Sequence, residues 1–256
     1  MALLTDFGAL DPYVGAMKGA ILSVCPEATL VDLAHEVPRH DVLAGALTLD
    51  AAYRTFPAGT VFVAVVDPGV GSARRGLALQ AGRHLFVGPD NGLFSIVLRE
   101  HAEARVHALE NARLFRSPVS PVFHGRDVFG PVAGHLAQGV PLEEVGPRIE
   151  DPVLLEPLEP RKLASGEWET SVLHVDRFGN LATSLSGRAV EGARAVEVVV
   201  GGATIPWART YSDVPPGSPC ALVGSSGRLE VAVREASASA RLGVGKGSPV
   251  RVRVVW

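Results

Sequence analysis

One loop, which follows a short apolar run, constrains this chain more than any other segment. Residues Thr60–Ala64 are apolar and rich in β-branched side chains, as is typical of a buried strand. Asp67 comes directly after that strand, followed by a Pro/Gly turn and by Arg74 and Arg75. Because α/β sheets bind ligands beyond the carboxyl ends of their strands, Asp67 is a candidate site residue. The alternative at this point is an ordinary loop, in which Asp67 caps a turn and the arginines are solvated.

Strand and helix patterns alternate along the first half of the chain. Helical spacing of apolar residues is found at Tyr13–Val24, and Asp41 can cap a second helix. The apolar runs that predict strands lie at 3–5, 29–33 and 60–66, with a hairpin at 76–80 and 84–87. This order predicts an α/β domain with a mainly parallel central sheet and flanking helices.

The character of the chain changes near residue 150. Segment 151–168 interleaves prolines with acidic residues, which predicts a linker. Short strands then alternate with Gly, Pro and Ser, at 170–175, 195–200, 219–223, 228–234 and 249–255. We therefore expect an α/β domain at 1–150 and a small antiparallel barrel or sandwich at 169–256.

Composition narrows the classes of partner. The formal net charge of −3 gives no electrostatic argument for binding nucleic acid or a membrane surface. Cys25 and Cys220 are far apart in sequence, which favours two reduced thiols in an intracellular protein. No Cys/His cluster predicts a metal site, and no apolar run approaches the length that spans a membrane. The first residues form a strand pattern, not a signal peptide, so we expect a cytoplasmic protein.

Three further clusters place polar residues at strand ends or in glycine turns. Asp6 ends the first strand, where it can bind a diol such as a ribose or cap the next helix. His124 precedes a helical pattern, and a pocket that also held an Asp and an Arg would make it catalytic rather than structural. In the last part of the chain, Asp176 can hold an ammonium group and Ser225-Ser226 can hold a carboxylate. The alternative is that both segments are only polar turns.

Taken in order, these motifs resemble the S-adenosyl-L-methionine (SAM) hydroxide adenosyltransferases, which are adenosine-forming SAM hydrolases related to the SAM-dependent fluorinase and chlorinase. The resemblance runs from residue 3 to about residue 240. The matching motifs are Thr5–Gly8, Tyr13–Gly19, Val66–Gly71, Gly88–Gly92, Phe123–Asp127, Phe178–Asn180 and Ser225–Gly227. The resemblance implies a β-barrel-like C-terminal domain and a homotrimer that binds SAM between domains of neighbouring subunits. It implies no cofactor, because SAM is the substrate.

The resemblance also implies a role for each matching residue. Asp67, Arg74 and His124 would activate a water molecule, although Arg75 lies in the same motif and the choice between the two arginines stays open. Asp6 would bind the ribose diol. The other implied substrate-binding residues are His40 and Phe123 in the first domain, Asp176 at the methionine ammonium, Ser225 and Ser226 at its carboxylate, and Phe178, Tyr211 and Asn180 around adenine.

Position 67 distinguishes the branches of that family. Its halogenases have a tyrosine where this chain has Asp67, and the fluorinase has a hydroxyl residue where this chain has Gly125. A fixed carboxylate repels a halide at close range and attracts the protons of water. We therefore expect hydrolysis of SAM to adenosine and L-methionine, by in-line attack of an activated water on C5′. The alternatives are a SAM-dependent halogenase and a non-catalytic protein that binds SAM or adenosine.

Overall fold

The computed structural model describes residues 1–157 and 159–256. The chain folds into two compact units. The first unit is Met1–Leu155 and the second is Glu156–Trp256, so the division lies inside the proline-rich segment 151–168. Part of that segment is ordered as a strand, Arg161–Lys162, which pairs with a strand of the second unit. Leu158, which belongs to the predicted linker, lies outside the described residues.

The first unit contains a seven-stranded sheet. Its strands are β1 (Ala2–Thr5), β2 (Val31–Ala34), β3 (Val61–Val65), β4 (Gly76–Ala81), β5 (His84–Pro89), β6 (Arg105–Ala108) and β7 (Arg148–Ile149). They lie in the order β2-β1-β3-β5-β4-β6-β7, and the first four are parallel to one another. The remaining pairs, including the predicted hairpin β4–β5, are antiparallel. The predicted α/β domain with a mainly parallel central sheet is thus confirmed.

Helices cover both faces of this sheet. They are α1 (Tyr13–Val24), α2 (Val42–Ala52), α3 (Ser95–Glu100) and α4 (Gly130–Ala137). Asp41 caps α2 as predicted, since its Oδ1 accepts a hydrogen bond of 3.0 Å from the Ala44 N–H. Successive residues of β3 enter opposite cores: Phe62 packs with the cluster that includes Leu49, and Val63 with the cluster that includes Met17. A strand buried on both faces has no polar side, which explains the continuous apolar run that predicted it.

The second unit is an antiparallel sheet that nearly closes on itself. After β8 (Arg161–Lys162) its strands are β9 (Trp168–Val175), β10 (Leu181–Ser186), β11 (Ala195–Val200), β12 (Ala203–Ile205), β13 (Pro219–Val223), β14 (Arg228–Val233) and β15 (Pro249–Val255), with one helix, α5 (Ala238–Leu242). The order is β12-β11-β15-β9-β10-β14-β13. Backbone hydrogen bonds of 2.8 Å join Pro206 and Ala208, just after β12, to Ala221 of β13. The barrel-like form is confirmed; β8, β10 and β12 were not predicted.

No helix in the described part of the chain is both long enough and apolar enough to span a membrane.

Candidate active site

Arg74 contacts both Asp67 and His124, the two residues that the family resemblance groups with it. The Arg74 Nε donates to Asp67 Oδ1 at 2.9 Å, and its Nη2 donates to Asp67 Oδ2 at 2.5 Å. The same Nη2 lies 2.8 Å from His124 Nδ1. Only 6% of the Asp67 side chain and 11% of the Arg74 side chain are exposed, so this ion pair is shielded from solvent. One guanidinium therefore bridges the carboxylate and the imidazole.

Tight loops bring these residues together. Asp67 follows β3, and the chain turns back so that Arg74 reaches it; the guanidinium also lies 5.1 Å from the ring centroid of Phe129. Gly71 has φ +79°, and a Cβ there would lie only 2.7 Å from the Pro121 carbonyl oxygen. A glycine is needed at this position because a side chain would push away the segment that leads to His124.

Arg75 belongs to a different cluster. Its Nε donates to Asp90 Oδ2 at 2.8 Å and its Nη1 donates to Asp151 Oδ1 at 2.9 Å. The Asp90 side chain is almost completely buried and also accepts from the Val153 N–H at 2.7 Å. Arg74, not Arg75, contacts Asp67; Arg75 instead anchors the chain that leaves the first unit.

The hydrogen bonds of His124 determine which of its nitrogens carries the proton. A guanidinium only donates, so Nδ1 accepts from Arg74 and the neutral ring carries its hydrogen on Nε2. Burial, followed by the positive charge of Arg74, holds the pKa of His124 below its ordinary value, against the opposing charges of Asp67 and Asp127. His124 is consequently neutral near pH 7, and its Nε2–H is a hydrogen-bond donor.

Asp67 and His124 line a cavity of about 370 Å³. Three more predicted residues line it as well: Asp6, His40 and Phe123. The volume is within the range of small-molecule sites. Phe7 and Tyr13, which belong to the sequence motifs but were given no role there, also line the cavity. They form an edge-to-face triangle with Phe123, with ring centroids 5.4–6.1 Å apart.

Asp6 is held at the cavity wall by one backbone contact. Its Oδ2 accepts from the His40 N–H at 2.9 Å. His40 has φ +64°, a left-handed conformation that is uncommon for a residue other than glycine. Within residues 1–157 and 159–256, Asp6 Oδ1 has no hydrogen-bond partner, so it remains available as an acceptor. Asp6 does not cap α1, whose first turn follows Pro12.

The predicted residues of the second unit lie on two turns and one short helical segment. Asp176 Oδ1 accepts from the backbone N–H groups of Phe178 (2.9 Å) and Asn180 (2.8 Å), and Oδ2 from the Asn180 amide (3.1 Å). This turn leaves the ring of Phe178 77% exposed. Ser225 and Ser226 are exposed in the turn between β13 and β14.

Glu230 is a neighbour of these residues that the sequence did not reveal. The Tyr211 hydroxyl donates to Glu230 Oε1 at 2.7 Å. Burial, supported by the negative charge of Asp176, raises the pKa of Glu230 although the bond from Tyr211 opposes the shift. Only the alternating pattern of β14 could have indicated that Glu230 and Leu229 face opposite sides of the sheet.

Known proteins resemble this chain over both of its units. The family model described as the SAM hydroxide adenosyltransferase N-terminal domain matches residues 1–146, and that of the C-terminal domain matches residues 170–251. An (R)-S-adenosyl-L-methionine hydrolase of Thermus thermophilus is 44% identical, with 97% of each chain covered. One of Salinispora arenicola is 40% identical, covering 98% of this chain and 97% of that protein.

A solved structure and a more distant relative complete the comparison. The crystal structure of an uncharacterized conserved protein from Thermotoga maritima has a TM-score of 0.92 and 35% identity, with 98% of each chain covered. A fluorinase of Nocardia brasiliensis is 28% identical, over 99% of this chain and 96% of that protein. The N-terminal and C-terminal domain models thus match successive parts of this sequence, and the chain belongs to the SAM hydroxide adenosyltransferase family.

Proposed function

We propose that this protein hydrolyses SAM to adenosine and L-methionine. The observation that carries the proposal is the carboxylate of Asp67, which faces the cavity beside His124 and is fixed by Arg74. A carboxylate at this position suits water as the nucleophile, because it accepts a proton and repels a halide. The names of the two relatives that are 40% and 44% identical over almost the whole chain support the same reaction.

The leaving group sets what the protein must supply. SAM carries a sulfonium, so cleavage of the C5′–S bond returns the electron pair to sulfur and releases a neutral thioether. No group has to protonate it, and the difficulty lies in the weak nucleophile. A water held in line with the C5′–S bond gains several kcal/mol from positioning, and general-base assistance adds roughly 10²–10⁴-fold.

The hydrogen bonds assign different roles to Asp67 and His124. The Nδ1 lone pair of His124 is occupied by Arg74, so the ring offers Nε2–H as a donor to the water oxygen. Asp67 uses part of its acceptor capacity on Arg74 and keeps further lone pairs for a water proton. In our proposal Asp67 receives that proton while the water oxygen bonds to C5′, and solvent then takes it. The positive charge of Arg74 favours the developing hydroxide.

The remaining contacts to SAM follow the family pattern. We assign Asp6, His40 and Phe123 to the ribose side of the cavity. Asp176 would hold the substrate ammonium and the turn at Ser225-Ser226 its carboxylate, with Phe178, Asn180 and Tyr211 around adenine. No cofactor is part of this proposal. Within the described residues, no group of three or more His, Cys, Asp or Glu side chains could hold a metal ion.

We further propose a cytoplasmic homotrimer, in which SAM binds between the first unit of one subunit and the second unit of its neighbour. The family pattern supports this arrangement, in which the exposed Phe178 would contact adenine. Cys25 and Cys220 are free and buried thiols, as expected in a reducing compartment. Sedimentation equilibrium should give three chains per particle.

The reaction is tested by incubating the protein with SAM and separating the nucleosides by chromatography. We expect adenosine and methionine in equal amounts, unchanged by added chloride or fluoride. Formation of 5′-halo-adenosine would favour a halogenase, and recovery of intact SAM after prolonged incubation would favour a protein that only binds it.

A further inference from the structure

A second polar chain of residues, separate from the water-activating group, ends at the residue next to Asp6. Lys18 Nζ donates to Asp32 Oδ2 at 2.7 Å, and His35 Nε2 lies 3.0 Å from Asp32 Oδ1. On the other side of the ring, His35 Nδ1 lies 2.8 Å from Thr5 Oγ1. The chain therefore runs from α1 through β2 to the end of β1, and Thr5 is the residue directly before Asp6.

The donors and acceptors of this chain match along its length. The hydrogen bond from Lys18 holds the pKa of Asp32 below its ordinary value, so Asp32 is an acceptor and His35 Nε2 carries a hydrogen. When only Nε2 carries a hydrogen, Nδ1 is an acceptor and the Thr5 hydroxyl donates to it. The Thr5 oxygen in turn accepts from the Phe7 N–H at 3.2 Å. The order Thr–His–Asp resembles a nucleophile with its base, but Thr5 is completely buried and cannot reach a substrate.

The same part of the chain fixes the loop that carries Asp6. The Gly8 N–H donates to the His35 carbonyl oxygen at 2.8 Å, and the Ala9 N–H donates to Glu36 Oε1 at 2.9 Å. Together with the Phe7 bond to Thr5, these contacts hold three successive N–H groups after Asp6. The loop is thus tied to the end of β2 through both the side chain and the backbone of His35.

We propose that His35 is a positioning residue that aims the Asp6 carboxylate at the ribose of the substrate, acting through Thr5. The inference rests on the proposed function, in which Asp6 binds the ribose diol. It predicts that loss of His35 affects recognition of the sugar more than the chemical step, because in the described part of the structure Asp67, Arg74 and His124 form no hydrogen bond with Lys18, Asp32, His35 or Thr5.

The test compares SAM with its 2′-deoxy analogue in the intact protein. His35→Ala should raise KM for SAM and lower the preference for ribose over deoxyribose by at least about tenfold each, the effect of one hydrogen bond to a charged group. Its kcat for SAM should stay within about threefold of wild type. His101→Ala is the matched control: it removes a partly buried histidine that contacts Tyr53 and Glu103, and both parameters should stay unchanged.

Two conservative variants distinguish positioning from a merely structural role. The amide of His35→Asn can occupy the place of Nδ1 and keep the bond to Thr5, whereas that of His35→Gln reaches toward Asp32. We expect Asn, not Gln, to restore the preference for ribose at equal thermal stability. Restoration by Gln alone, or an unchanged preference in His35→Ala, would overturn the proposal.

Calorimetry separates this proposal from the proposed function. Binding of adenosine and 2′-deoxyadenosine reports the preference for ribose without any turnover. If wild type prefers adenosine and His35→Ala loses that preference, the positioning role holds even for a protein that leaves SAM intact. If wild type binds the two nucleosides equally, the role fails even for an active hydrolase.

Discussion

Replacing Asp67 by Asn changes one atom of the side chain that the mechanism depends on most. In the native site both carboxylate oxygens face donors of Arg74, at 2.9 and 2.5 Å. An amide retains one oxygen as an acceptor, and in either orientation its NH₂ faces a donor of Arg74. The amide cannot take a proton from water. Loss of the base should therefore lower kcat by about 10²–10⁴-fold, equivalent to about 3–5 kcal/mol in activation free energy.

The assay is single-turnover conversion of SAM at saturating protein, with SAM affinity measured separately by calorimetry. The matched control is Asp90→Asn, which alters another buried Asp–Arg pair of the same unit, outside the cavity. Asp90→Asn should lower Tm and leave kcat within about threefold of wild type. A kcat for Asp67→Asn within about fivefold of wild type, with unchanged affinity, would show that Asp67 is not the base.

Two further predictions concern the neighbouring arginines and a buried histidine. Arg74→Lys loses the contacts that bridge Asp67 and His124, so it should lower kcat by at least about 100-fold. Arg75→Lys should lower Tm but change kcat by less than about threefold. Equal effects of the two substitutions on kcat would contradict the assignment of Arg74 to the site. His84 is buried, neither of its ring nitrogens is hydrogen-bonded, and burial lowers its pKa. As the pH falls below about 6.5, His84 therefore binds a proton in the unfolded chain before it does so in the folded protein, and the free energy of unfolding decreases. In urea unfolding between pH 5 and 8, His84→Phe should show a smaller loss of stability at low pH, and an unchanged pH dependence would refute this reasoning.

The parallel half of the first unit could be predicted because local signals agree there with the tertiary structure. Strand β3 is apolar throughout, as a strand covered on both faces must be, and α1 shows its apolar spacing from Tyr13 to Val24. The candidate residues were found for a related reason. Asp6 and Asp67 each follow a parallel strand, and such strand ends meet at one edge of the sheet.

The parts that could not be predicted depend on contacts between distant segments. Strand β10 contains Thr183 and Ser184, whose buried hydroxyls are hydrogen-bonded, so its sequence lacks a clear apolar signal. β12 has only three residues. The choice between Arg74 and Arg75 depends on where Asp90 lies after folding, 15 positions further along the chain from Arg75. The periodicity of the sequence does not indicate which of the two arginines contacts Asp67 and which contacts Asp90.

The most direct test of the central claim is hydrolysis of SAM in ¹⁸O-labelled water, followed by mass spectrometry of both products. Attack of an Asp67-activated water on C5′ predicts one ¹⁸O atom in the 5′-hydroxyl of adenosine and none in methionine. Adenosine without the label, or label in methionine, would contradict the proposed attack of water on C5′.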